Sequence, residues 1–272
     1  MTGYHPPETL QQALELRART DVMPLAGGTD VYPAKVTRAG WGDMRHKDVL
    51  DLSGIASLRG IAEAETHWRI GALATWSELV RMPMPPMLDG LKQAARAVGG
   101  VQIQNRGTLV GNICTASPAG DGAPNLVALD AEIEIAGANG TRLVPMAGFI
   151  DGYRHTQCGA DELVTAILIP KRNDDARSAF LKLGARRYLV ISIAMVAGVV
   201  ACDAAGRITH TRIAVGACSA TPQRLADLEA ALLGTPLADA AKRGLPQHFA
   251  ALQPIDDVRA SATHRIEAAR AL

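Results

Sequence analysis

The chain has 272 residues, 48% apolar and 20% charged, with a formal net charge of +1; this describes a globular protein of one large or two modest domains and excludes a disordered chain. The near-neutral charge argues against nucleic acid or an anionic membrane as a partner, and no apolar run approaches the roughly 20 residues of a membrane helix. The opening "MTGYHPPETLQQ" lacks the layout of a signal peptide and the four cysteines (Cys114, Cys158, Cys202, Cys218) lack metal-ligand spacing, so the expectation is a soluble, cytoplasmic protein with four buried or half-buried thiols and no metal.

After a pair of prolines, Leu10, Ala13, Leu14 and Arg17 recur at helical spacing, with Thr9 placed to cap the helix. "DVMPLAGG" is a short strand that runs into glycine, "KDVLDLSGIASLRGI" reads as strand, turn and strand, and "HWRIGALATWSELV" as a strand feeding a helix. "MPPMLDGLKQAARAVGG" is a helix stopped by Gly99 and Gly100. "NLVALDAEIEIAGANGTRLVPM" reads as a hairpin with an Asn-Gly turn. After Pro170 come three strands, the second and third joined by "DAAGR", and a helix-rich tail from about Pro222 that includes "ADLEAALLG" and "SATHRIEAARAL". Strands arrive in groups rather than alternating with helices, which favours an α+β fold over a doubly wound sheet.

Two glycine-rich loops interrupt this pattern. The first, "PLAGGTDVYP", delivers Gly27 and Gly28 from a strand, followed by Thr29 and Asp30. Adjacent glycines free the backbone to point amide N–H groups at an anion, although a tight turn after a strand would also account for them. Neither the phosphate-binding G-x-x-x-x-G-K-[ST] nor the dinucleotide G-x-G-x-x-G pattern is present. The second loop, "TLVGNICTASPAGDGAP", holds Gly111, Gly120 and Gly122, the short polar side chains of Thr108, Asn112, Thr115 and Ser117, and Asp121 between two glycines. A carboxylate so flanked is expected to be exposed and free to accept from a ribose or an amide. With Arg106 the one nearby cation, the pair of loops suggests a diphosphate held mainly by backbone amides, and so a nucleotide cofactor.

In order along the chain, "LAGGTD", "RIGALATWSEL", "NRGTLVGNICTASPAGDGAPNLVALDAEIEI", "GYRHT", "LKLGARR" and "RIAVGACSATPQR" resemble the FAD-binding subunit of molybdenum hydroxylases, the group of xanthine dehydrogenase, carbon monoxide dehydrogenase and bacterial aldehyde or N-heterocycle oxidoreductases. The resemblance extends from about Pro6 to the last helix. It implies a vanillyl-alcohol-oxidase-type (PCMH-type) FAD-binding domain over residues 1–172, in two subdomains of about 1–54 and 55–172, and a small α+β C-terminal flavoprotein domain over 173–272.

It also implies site residues. Leu25, Ala26, Gly27, Gly28, Thr29, Asp30 and Val31 would wrap the FAD pyrophosphate. Thr108, Gly111 and Asn112 match the second cofactor motif, with Ser117 beyond it; Asp121 would face the adenosine side and Lys182 the flavin side, while Val98 and Val164 pack on the cofactor. Val110 stands where the family usually has glycine, and Val190 where an aspartate is common. The activity implied is electron transfer from [2Fe–2S] clusters through FAD to NAD, oxygen or a quinone. Molybdopterin and the clusters would reside on a large and a small partner subunit, in a heterotrimer that can pair into a dimer of heterotrimers. The alternative is a free-standing FAD-dependent oxidase or reductase of the same superfamily, which should carry its own substrate acid or base; none can be named.

The remaining candidates have plainer readings. His67, His155 and His264 are isolated and read as surface or capping residues. Asp151 and Arg154 read as a local ion pair or a solvated loop, Arg186 and Arg187 as flavin- or partner-facing or simply exposed charge, and Trp41, Trp68 and Trp76 as core anchors.

Overall fold

The computed structural model describes residues 3–33, 47–172 and 175–272. A parallel three-stranded sheet comes first, from β1 (Tyr4–His5), β2 (Val22–Leu25) and β3 (Asp48–Asp51), in the order β1-β3-β2. Its crossover helix, Leu10–Arg19, begins as expected at Thr9, whose hydroxyl accepts from the Gln12 amide while the Gln12 side chain accepts from the Thr9 amide. This reciprocal cap satisfies two donors that the first turn cannot.

Five further strands form an antiparallel sheet: β4 (Ile61–Glu63), β5 (His67–Gly71), β6 (Glu132–Gly137), β7 (Gly140–Pro145) and, after the small hairpin of β8 (Ile150–Gly152) with β9 (His155–Thr156), β10 (Leu163–Pro170). The order β4-β5-β10-β6-β7 places the late strand β10 at the centre, where its near-continuous apolar run is buried from Leu163 to Ile167 and again at Ile169. Trp68 and Trp76 are core residues; Trp41 lies outside the described residues. A second reciprocal cap, Thr75 with Glu78, starts the helix Trp76–Arg81. The helix Asp89–Ala97 ends at Val98, just before Gly99 at φ +50°.

Two expectations need correction here. The segment "NLVALD" is not strand: Gly122–Ala128 is a helix whose seven residues are all buried, and β6 begins only at Glu132. A helix buried on every side shows no period in its apolar pattern, so the run looked like strand. The hairpin also turns one residue earlier than the Asn-Gly reading placed it. Gly137 pairs with Gly140, so Ala138 and Asn139 form the turn, and the positive φ sits after it at Gly140.

The last sheet is antiparallel, with β11 (Arg177–Leu183), β12 (Ala194–Cys202), β13 (Ile208–Gly216) and the short β14 (Gln223–Arg224) in sequential order. Its central strand explains its place. Along β12, Met195, Ala197, Val199 and Ala201 join the main core, which also takes in the helices Asp89–Ala97 and Gly122–Ala128. The alternate Ala194, Val196, Val200 and Cys202 join a second cluster with Leu228, Leu232, Ala268 and Ala269 of the helices Ala226–Leu232 and Ala262–Ala271. A strand sandwiched in this way is apolar at both parities. Its β12–β13 turn is the expected "DAAGR", with Asp203 accepting from the amides of Ala205 and Arg207. The α+β architecture therefore stands. Among the described residues no helix is long and apolar enough to cross a membrane.

Candidate functional site

Strand β2 ends at Leu25 and hands the chain to the first glycine loop. Gly28 sits at φ +76°, a conformation L-residues rarely adopt. Gly27 lies against the second loop, so closely that a Cβ added there would fall on the Arg106 carbonyl. The second loop is fixed from its far side. The Trp76 amide donates to the Gly107 carbonyl at 3.1 Å, and Thr75 and Thr108 form an antiparallel bridge. Thr108 then caps the helix Leu109–Thr115, its hydroxyl accepting from the Gly111 amide at 2.9 Å.

The two loops also meet through side chains. Thr115 donates to Asp30 at 3.1 Å. Asn112 reaches onward, accepting from the Gly122 amide at 3.1 Å, and the Ser117 carbonyl accepts from the Gly120 amide at 2.9 Å. Thus Gly27–Asp30, Thr108–Asn112, Ser117 and the turn at Asp121 form one connected cluster, assembled from positions far apart in sequence. It combines backbone brought close at Gly27 with the exposed side chain of Arg106 at its edge. Leu25 and Val110 turn into the protein and are buried, so the valine at the family's usual glycine position is part of the core.

Asp121 is not exposed. It is 5% accessible, and each carboxylate oxygen has a partner: the Lys182 ammonium at 2.6 Å on Oδ2 and the Ser192 hydroxyl at 2.6 Å on Oδ1. The two flanking glycines suggested freedom, but residues from β11 and the loop after it close over the carboxylate. Burial pushes the Asp121 carboxyl up, and the ammonium and hydroxyl pull against that rise. Lys182 also faces the carbonyls of Ala97 and Val190, each at 3.4 Å. This ammonium therefore ties the end of the helix before Val98 to the segment that carries Val190. Val164 is buried in β10 opposite Ile135, at an irregularity in the β10–β6 register, and its neighbours belong to the apolar core.

No local motif in the sequence marks Ser192. The one available signal was a small hydroxyl residue within the apolar run "YLVISIAMV". Asp151 pairs with His155 rather than Arg154, whose guanidinium lies 5.9 Å from the Tyr153 ring centroid. Arg186 donates to the Leu189 carbonyl, and Arg187 lies over the Tyr188 ring at 5.2 Å. Cys114 is an exposed residue, contrary to the expectation of buried or half-buried thiols.

Comparison with known proteins accords with this geometry. The family described as "FAD binding domain in molybdopterin dehydrogenase" matches residues 1–172, and "CO dehydrogenase flavoprotein C-terminal domain" matches residues 179–272. The nicotinate dehydrogenase FAD-subunit of Eubacterium barkeri is 33% identical over 241 residues, covering 86% of this chain and 80% of the relative. The carbon monoxide dehydrogenase medium chain of Hydrogenophaga pseudoflava is 27% identical over 266 residues, covering 96% and 91%. Among solved structures, reconstituted CO dehydrogenase from Oligotropha carboxidovorans superposes with a TM-score of 0.92 at 27% identity, covering 100% of this chain and 94% of that one. With one family matched across the glycine loops and the other across the sheet that closes over Asp121, the chain belongs to the FAD-binding subunits of the molybdopterin dehydrogenases.

Proposed function

We propose that this chain is the FAD-carrying electron-transfer subunit of a molybdenum hydroxylase, passing electrons from [2Fe–2S] clusters on a small subunit to NAD, oxygen or a quinone. Substrate oxidation then belongs to a large molybdopterin-binding subunit. When bound, FAD supplies the ability to take electrons singly and release them in pairs. The observation that carries this reading is the meeting of the two glycine loops, with Gly27 packed on the Arg106 carbonyl and Thr115 bonded to Asp30.

In this reading Leu25–Val31 and Thr108–Asn112 hold the diphosphate through backbone amides and short hydroxyls. Ser117 and Asp121 border the adenosine side, and Lys182, Val98 and Val164 border the flavin side. Residues 1–172 act as the FAD-binding domain, in subdomains of about 1–54 and 55–172, and residues 173–272 as the C-terminal domain. Support for that division is that each of the three stretches contributes its own principal sheet. The working assembly is a cytoplasmic dimer of heterotrimers without a nucleic-acid partner, in keeping with the net charge of +1.

Heat release and chromatography of the cofactor test the assignment. FAD is expected, and FMN alone would overturn it, because one phosphate does not need both loops. Purified with its partners, the chain should sit in a complex containing molybdenum and iron. Steady multiple turnover of a purine, aldehyde or N-heterocycle by the isolated chain would instead favour a free-standing oxidase.

A further inference from the structure

Between Tyr188 and Val196 the sequence "YLVISIAMV" offers one short hydroxyl, Ser192, and the fold buries it to 2% exposure. A buried hydroxyl without a partner costs about 1–3 kcal/mol. Ser192 has a partner, and a charged one: it donates to Asp121 Oδ1 at 2.6 Å while Asp121 Oδ2 holds Lys182. A carboxylate bound only by an ammonium can turn about its Cβ–Cγ bond and let the ammonium follow. A second donor on the other oxygen removes that freedom and fixes the direction from which Lys182 is held.

The loop before Ser192 has its own need for an anchor. Leu189 sits at φ +52°, in the left-handed region, and its carbonyl is held by Arg186. The Val190 carbonyl faces Lys182, while the Ile193 amide donates to the Leu183 carbonyl at 2.8 Å. The Ser192 side chain joins this loop to the turn at Asp121, 71 positions earlier in sequence.

We propose that Ser192 is a positioning residue for the cofactor: its bond to Asp121 fixes Lys182 and the loop through Val190 in the arrangement that receives the flavin. The proposal rests on the reading of this chain as an FAD subunit. Ser192 acts through Asp121 and Lys182 and is not itself assigned a contact with the cofactor.

The test compares the full chain with Ser192→Ala, Ser192→Cys and Ser192→Thr, each stripped of flavin and titrated with FAD by flavin fluorescence. Tryptic cleavage after Arg186 and Arg187 is mapped in parallel, and a urea midpoint is taken for each variant. Loss of a hydrogen bond to a charged group should weaken FAD binding about ten-fold or more in Ser192→Ala. Ser192→Cys, which fills the same space with a poor donor, should behave alike, and both should be cut faster at the loop. Ser192→Thr, which keeps the donor, should restore the affinity. Should the alanine variant not fold, the cysteine variant carries the comparison. A merely structural hydroxyl would lower the urea midpoint and leave the dissociation constant of the folded chain and its cleavage unchanged; that result overturns the proposal. A wild-type chain that takes up no FAD overturns the subunit reading itself and the proposal with it, an outcome distinct from variants that bind like the wild type.

Discussion

Thr115 donates its hydroxyl to Asp30 at 3.1 Å, joining two loops that lie 85 positions apart in sequence. The same hydroxyl lies 2.9 Å from the Gly111 carbonyl, so its one proton is shared between the helix's own first turn and the opposite loop. Side chains bridge the loops at their edge, while the absence of a side chain at Gly27 lets their backbones touch.

The two adjacent glycines should therefore fail differently. At Gly27→Ala the new methyl meets the Arg106 carbonyl, which is backbone and cannot swing away. At Gly28→Ala it meets the Tyr32 ring, the movable end of an exposed side chain, and the cost is the φ of +76°. Overpacking of this kind costs about 1–3 kcal/mol or more and the unfavourable backbone about 1–2 kcal/mol. Gly27→Ala is expected to lose more bound FAD per chain after gel filtration than Gly28→Ala. The reverse order would mean that the loops do not need to touch.

Asp121→Ala should destabilise the flavin-free chain by about 3–5 kcal/mol, because it leaves the Lys182 ammonium buried without its counter-charge. Lys182→Met should do similar damage for the opposite reason. The double variant should lose less than the two singles combined, and urea denaturation of all four proteins measures that coupling. Strict additivity would show that the pair is not energetically linked.

Arg224 forms a fork on Glu229, at 2.6 and 2.9 Å, and also reaches Asp130 at 2.8 Å. Glu229 is nearly buried, and Asp130 is half exposed. Arg224→Lys keeps the charge and loses the fork, with an expected cost of about 1–3 kcal/mol. Asp130→Asn, chosen because asparagine tolerates the positive φ at this position, should cost less than about 1 kcal/mol. Thermal unfolding with both variants side by side gives the ranking.

Asp257 accepts from the amides of Arg259 and Ala260 and from the nearly buried guanidinium of Arg265, on the last helix. These donors, the Arg259 amide foremost, hold its carboxyl at about 2, below the ordinary 3.8. The folded chain thus takes up this proton less readily than the unfolded chain. The stabilisation is present above the ordinary value and is lost as pH falls from about 4 towards 2. Asp257→Asn should lower the urea midpoint at neutral pH and flatten its decline across that acid window. A decline as steep as in the wild type would place the acid sensitivity elsewhere.

Local chemistry was the legible part of this molecule. The cap at Thr9 needs only a residue three positions on, and the helix stop near Gly99 needs only the glycine. The first glycine loop was recognisable as a loop for the same reason, whereas most of the second stretch proved helical, as Leu109–Thr115 and the start of Gly122–Ala128. What escaped was decided at long range. The helix Gly122–Ala128 lost its period because it is covered on every side, and Asp121 looked open because its neighbours in sequence are glycines. The residues that close over it, Lys182 and Ser192, lie 61 and 71 positions away. No local pattern foretells that a late strand will return to bury an early carboxylate.

The junction between the two family-matched portions is held by paired residues: Asp121 with Lys182 and Ser192, and Asp130 with Arg212 and Arg224. These halves are consequently not interchangeable parts. A hybrid that grafts the last hundred residues of a relative onto the first 172 of this chain would inherit one side of each lock and a stranger's key. Residues 182 and 192 would have to travel as a set matched to 121, whereas the half-exposed Asp130 pairs would tolerate a mismatch. A change on one side of the Asp121 contact therefore needs a matching change on the other, and the two portions act as one unit across this junction.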